Sequence, residues 1–97
     1  MLSLQSIKKL AIPLAQKYGI ERLFLFGSYA RGGATENSDI DFRIDRGTMR
    51  GLQFCAFYND MEEAFNKPLD ILTTKQLPDE ILNAIKKEEI LLYERKF

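Results

Sequence analysis

The apolar run Leu23-Phe24-Leu25-Phe26 stops abruptly at Gly27-Ser28, and the chain turns apolar again a few residues later with two carboxylates set into it, at Ser38-Asp39-Ile40-Asp41-Phe42. Four consecutive apolar residues closed by a glycine predict a strand buried on both faces. The second stretch alternates in part and predicts a strand from Ser38 to Ile44. The connection between them is too short for a full crossover, so the two strands are expected to run antiparallel. A short helix over Tyr29 to Arg31, closed by Gly32-Gly33, fits between them, and Ala34 to Asn37 reads as a polar loop.

The rest of the chain supplies cover for these strands. Ile7, Leu10, Ala11, Leu14 and Tyr18 recur at three- and four-residue steps and mark a first helix, capped by Ser3 or Ser6. Pro13 removes a backbone donor and predicts a kink or break there. Gly19 suits the left-handed position just past the helix. Asp45-Arg46-Gly47 is a turn, and Thr48 is placed to cap a helix running to about Asn66. Phe54, Phe57, Tyr58, Met61 and Phe65 form the stripe of that helix. Leu69 to Leu72 reads as a third strand. Pro78 opens a last helix, with Ile81, Leu82 and Ile85 facing inward and Asp79 and Glu80 at its positive end. Ile90 to Tyr93 reads as a fourth strand. This order predicts one α/β domain over residues 1–97, a mixed sheet of about four strands with helices mainly on one face.

Composition narrows the chemistry. The 97 residues carry no histidine, which removes His-based triads, His general bases and His metal ligands together. The single cysteine, Cys55, forms neither an internal disulfide nor a cysteine-rich zinc site, and is expected as a small core residue on its helix. Any metal must therefore be held by oxygen, which favours magnesium or manganese. Fourteen basic and fourteen acidic residues balance, so no overall positive field draws in a nucleic-acid backbone, although a local basic patch is open. No apolar run approaches the length of a membrane span, and the N-terminus lacks a signal-peptide pattern. A cytoplasmic protein is the expectation.

Asp39 and Asp41, two apart in a strand, project to one face. Two like charges so close repel, and a divalent cation relieves the cost. Asp70 lies between Leu69 and Ile71 in another short strand. If that strand lies beside the first pair, three carboxylates converge, enough to hold one or two metal ions for in-line nucleotidyl transfer. An isolated Asp-x-Asp is common on solvated strand edges, and Gly-Ser after a strand can by itself be a simple turn; their combination points to a site. Gly27 lets backbone approach a ligand closely. Ser28 offers a hydroxyl and an N–H where a short helix begins. Arg31 could contact a phosphate or brace the carboxylates. Ser38 could hydrogen-bond near the metal or serve as a turn residue. Arg43 would share the face of Asp41 and balance the acidic cluster.

Gly27-Ser28-Tyr29-Ala30-Arg31-Gly32, followed after a spacer by Ser38-Asp39-Ile40-Asp41-Phe42, resembles the signature of the minimal nucleotidyltransferases of the DNA polymerase β-like superfamily. Asp70 in Pro68-Leu69-Asp70-Ile71 resembles the third family carboxylate, and Phe42 stands where leucine is frequent. The resemblance implies ATP at Gly27 and Ser28, and magnesium on Asp39, Asp41 and Asp70. It implies transfer of a nucleoside monophosphate to a hydroxyl with release of pyrophosphate. Many small members resemble antitoxins that adenylylate a tyrosine of a HEPN-type toxin. Once the sheet and helices are built, little chain is left for binding an acceptor. A partner protein, a second copy or a shallow surface would have to present it. Two other functions fit the same residues: a non-catalytic binding module, and an enzyme that modifies a small hydroxylated molecule such as an antibiotic.

Overall fold

The computed structural model describes residues 2–96. Helix α1 spans Leu4–Lys17 and begins at Ser3, whose Oγ accepts the Ser6 N–H at 3.1 Å. Its stripe buries Ile7, Ala11 and Ala15, with Leu10, Leu14 and Tyr18 packed at the margin. The helix runs unbroken through Pro13, against expectation. Pro13 and Lys9, whose carbonyl loses its intrahelical donor, are both exposed residues, so solvent can take up the lost bond. Gly19 follows in the left-handed conformation, at φ +69°.

Among the described residues four strands make one mixed sheet. They are β1 (Arg22–Phe26), β2 (Ile40–Asp45), β3 (Leu69–Thr73) and β4 (Ile90–Glu94), in the spatial order β3-β2-β1-β4. β1 runs antiparallel to β2, as expected from the short connection after Phe26, and antiparallel to β4 on its other side. β2 and β3 are parallel, joined across one face by helix α3 (Gln53–Phe65). The register sets Phe26 opposite Asp41, and Asp41 beside Asp70.

Helices α1 and α3 cover one face of the sheet. Ile7, Ala11 and Ala15 meet Phe57, Met61 and Phe65 over Leu23, Leu25, Ile40, Phe42, Ile44, Ile71 and Leu92. The Tyr18 hydroxyl donates to Asp60 at 2.6 Å and ties the two helices together. The opposite face is less closed. Phe24 and Phe26 are only half-buried, so β1 is not sealed on both sides as its sequence suggests. The Arg43 guanidinium lies 3.9 Å from the Phe24 ring centroid, and helix α4 (Asp79–Lys86) stands near Phe26 and Leu72. Of its three expected inward residues, Ile85 is buried, Leu82 is half-buried and Ile81 is exposed. Its apolar stripe borders an open cleft rather than a closed core.

Two further expectations fail for local reasons. Thr48 does not cap α3; its N–H and hydroxyl both donate to the Gly19 carbonyl, at 3.1 and 3.3 Å, and the helix begins at Gln53. Cys55 is exposed. It lies about 100° around the helix from Phe54, off the stripe, and helix geometry outweighs the usual burial of free cysteine. No helix among the described residues is long and apolar enough to cross a membrane.

Candidate active site

The end of the sheet where β1 stops and β2 and β3 start gathers the residues singled out in the sequence. Gly27 takes φ +74° and ψ −155°, a conformation essentially reserved for glycine. That angle folds the chain from β1 straight into the short helix α2 (Ser28–Arg31), which closes at Gly32 with φ +82°. The turn is tight because Asp41 stands against it. A Cβ on Gly27 would collide with the Asp41 carboxylate and sit 3.1 Å from its Cγ. Glycine is thus required both by backbone conformation and by the carboxylate it must admit. Gly27→Ala is expected to destabilise the fold by about 2 kcal/mol and to displace Asp41. Thermal melting of the variant, set beside its nucleotide-transfer rate, checks both.

Asp41 lies inside β2, and Asp70 inside β3 is its register partner. Asp39 sits one residue before the start of β2, and Ser38 before it, so neither belongs to the strand as expected. Strand pairing begins only at Ile40, opposite Leu69, and β3 has no earlier residue to pair with Asp39. Burial, then Asp70, then Asp39 raise the Asp41 carboxyl to about 6, and these together outweigh the opposing pull of Arg31. Asp70 and Asp39 therefore both act on Asp41 across the sheet end.

One ion pair and one hydrogen bond hold α2 in place. Arg31 Nη1 donates to Glu88 Oε1 at 2.9 Å, next to the end of α4. Lys67 Nζ donates to the Tyr29 hydroxyl at 2.9 Å and lies over its ring. Ser38 spends its hydroxyl on the loop, where Oγ accepts the Thr35 N–H at 2.8 Å and fixes the turn that leads into Asp39. Arg43 shares a sheet face with Asp41 but does not balance it. It is buried and pairs with Glu89 through both carboxylate oxygens, at 2.8 and 2.9 Å, and with Thr74 at 2.7 Å.

A cleft of about 600 Å³ opens over Gly27, Ser28, Arg31 and Asp41, and its far wall is α4. Ile81, Ala84 and Ile85 of α4 face Phe26 and Leu72 across it, with Glu80 and Glu88 at its rim. The sequence offered no sign that α4 belongs to the site, because only the tertiary fold carries it there. Ile81, read in the sequence as an inward residue, is left 48% exposed at this wall.

Among the described residues no three acidic side chains are drawn together tightly enough to cage a metal ion unaided. Magnesium does not need such a cage. It is commonly held by one or two carboxylates, with substrate phosphates and water completing the octahedron. The donor set is all oxygen, and burial together with the like charges of Asp70 and Asp39 raises the Asp41 carboxyl, a cost that a divalent cation would relieve, so the residues fit such an ion.

A family model described as polymerase beta, nucleotidyltransferase matches residues 8–97. "Putative protein adenylyltransferase MJ0435" of Methanocaldococcus jannaschii is 36% identical over 87 residues, which is 84% of this chain and 94% of that protein. A chain of a crystal structure of a toxin–antitoxin with AMP-PNP superposes with a TM-score of 0.76 at 19% identity, covering 98% of this chain and 76% of that one. A chain of the tri-AMPylated Shewanella oneidensis HEPN toxin in complex with MNT antitoxin gives 0.72 at 16%, covering 95% and 73%.

Proposed function

The chain belongs to the polymerase β-type nucleotidyltransferase family, and on that premise we propose that it transfers AMP from ATP, with magnesium, to a tyrosine hydroxyl of a HEPN-type toxin and so acts as its antitoxin. The observation that carries this is the Gly27–Asp41 contact: a turn only glycine can make, pressed against a carboxylate that Asp70 and Asp39 flank.

The roles follow from position. Gly27 and Ser28 border the cleft where a triphosphate chain can approach backbone. Asp39 and Asp41, with Asp70 beside them, would hold magnesium, which supplies charge neutralisation on the phosphates and orients them for in-line attack. Asp70 is exposed where Asp41 is half-buried, and is suited to take the proton from the acceptor hydroxyl as its oxygen bonds to the α-phosphorus. Pyrophosphate leaves as that bond forms. Arg31 at the cleft edge is placed to meet the phosphates, held by Glu88 until they arrive.

Choice of acceptor rests on the relatives. One carries the name of a protein adenylyltransferase, and one structural neighbour is a complex with an AMPylated HEPN toxin. The cleft is open along α4, which suits a hydroxyl delivered on another protein. Use of ATP and magnesium, with one exposed thiol and no disulfide, suits the reducing cytoplasm.

Incubation with ATP labelled at the α-phosphate, magnesium and native lysate tests this directly. A labelled protein band is expected with the intact chain and not with Asp39→Ala. Label confined to small molecules, or a band equally strong in Asp39→Ala, would overturn it.

A further inference from the structure

The end of the sheet opposite the candidate active site carries a second cleft, of about 760 Å³. It lies where β1 begins and β2 and β3 finish, a register marked by Arg22 opposite Asp45 and Ile44 beside Thr73. Its two acids are already spoken for. Glu21 and Asp45 pair with Arg22 at 3.2 and 3.3 Å, and Arg43 also reaches Asp45, at 3.7 Å. Arg46, Arg50 and Lys75 line the same cleft, and none has an acidic partner among the described residues. The lining thus sets four cations against two carboxylates, and three of those cations have no direct acidic partner among the described residues.

Arg46 and Arg50 sit on a braced loop. The Arg46–Met49 and Arg50–Gln53 turns each close with a 3.1 Å backbone bond. Gln53 also accepts the Arg50 N–H at 3.0 Å through its side chain, and Thr48 N–H anchors the loop to Gly19. The Arg46 guanidinium rests 5.2 Å from the Phe54 ring centroid, and its Nε is buried with no hydrogen-bond partner. Burying that donor unsatisfied costs free energy, and packing on Phe54 holds it in place all the same. The Arg46 guanidinium, already positioned, pays little ordering entropy when an anion arrives, and Arg50 and Lys75 reach in from exposed positions.

We infer that this cleft is a second ligand site that takes a polyphosphate chain, as on a nucleoside triphosphate or free inorganic polyphosphate. Size fits a nucleotide-sized ligand. Guanidinium groups match phosphate oxygens in pairs, and Lys75 adds a point charge. No aromatic ring lines the cleft, so a base finds no stacking platform and the phosphates alone are recognised. A single-stranded nucleic acid is less suited, because three cations in one concavity make no track along a backbone and the chain has no net positive charge.

The test uses the full chain carrying Asp39→Ala/Asp41→Ala, in magnesium-free buffer, so that binding at the other end is suppressed. Inorganic tripolyphosphate is titrated by calorimetry and amide shifts. Saturable one-site binding is expected, with shifts confined to residues 46–51 and 74–76. Affinity should fall at least about tenfold on adding Arg50→Gln/Lys75→Gln, two exposed positions whose change leaves the fold intact, as melting checks. ATP and GTP should bind within about twofold of one another. Absence of saturable binding, or binding that ignores Arg50→Gln/Lys75→Gln and also Arg46→Gln, overturns the inference. So does an oligonucleotide that displaces tripolyphosphate at lower concentration.

Discussion

Asp41→Asn is expected to abolish nucleotidyl transfer and, in the same molecule, to raise thermal stability. Its carboxylate stands against Gly27, beside Asp70 and close to Asp39, and burial with those two charges lifts its carboxyl to about 6 from an ordinary value near 3.8. The folded chain therefore holds a proton on Asp41 between about pH 4 and 6 where the unfolded chain has released it. By linkage, the stability associated with this group is fully present below pH 4 and is lost as pH rises through 6. At neutral pH the folded state carries the whole penalty. Asparagine keeps the shape and removes the charge. Because the group is partly open to solvent, the gain is discounted to about 1 kcal/mol, or roughly 4–8 °C in melting temperature for a chain of this size. Loss of transfer should be on the order of 10³-fold, as a ligand to the proposed metal and a stabiliser of the reacting phosphates disappear. Melting curves at pH 4.5 and 7.5 check the sign: the variant should gain at pH 7.5 and little at 4.5. MgATP should stabilise the parent chain and leave the variant almost unmoved. An equal difference between variant and parent at both pH values would remove the raised-carboxyl account of Asp41.

What could be read in the sequence was what is local. The Gly27 stop, the β1–β2 antiparallel pairing and the Phe57–Met61–Phe65 stripe each depend on neighbours a few residues away, and each is present in the fold. The misreadings share a cause. Pro13, Thr48 and Cys55 were judged by residue habit, and position decided otherwise: exposed surface around Pro13, a bond to Gly19 for Thr48, a turn off the stripe for Cys55. The site divides in the same way. Gly27, Ser28 and Asp41 announced themselves by order and spacing, and Asp70 came in beside Asp41 through a parallel pairing that the α3 crossover makes possible. The α4 wall gave no local signal, since nothing in Asp79–Lys86 states which sheet face it will meet. Arg43 was legible as a neighbour of Asp41 in sequence, but its true partner, Glu89, lies 46 residues away.

That distant pair is where the largest stability loss is expected. Arg43 is almost fully buried, and Glu89 nearly so, with side chains 3% and 12% exposed. Glu89 takes two bonds from Nη2 and a third from Nε at 3.0 Å, while Nη1 goes to Thr74 and the guanidinium plane covers Phe24. Through these contacts β2, the turn after β3 and the approach to β4 are held to one point. Glu89→Ala leaves the guanidinium in a dry site with Thr74 and, at 3.7 Å, Asp45. Stranding one partner of a buried pair costs about 3–5 kcal/mol. Asp45 remains as partial compensation, so about 3 kcal/mol is expected, a fall of roughly 12–24 °C in melting temperature. Arg43→Met/Glu89→Ala removes the stranded charge and lays an apolar chain over Phe24, so it should recover much of that loss. Urea denaturation of the two variants and the parent measures the coupling. A double variant no more stable than Glu89→Ala would mean that the cost lies in the packing around Glu89 and not in the buried charge. Arg43 is two residues from Asp41 on the same strand, so transfer by the double variant also reports whether the pair only anchors β2 or sets the aim of its carboxylate as well.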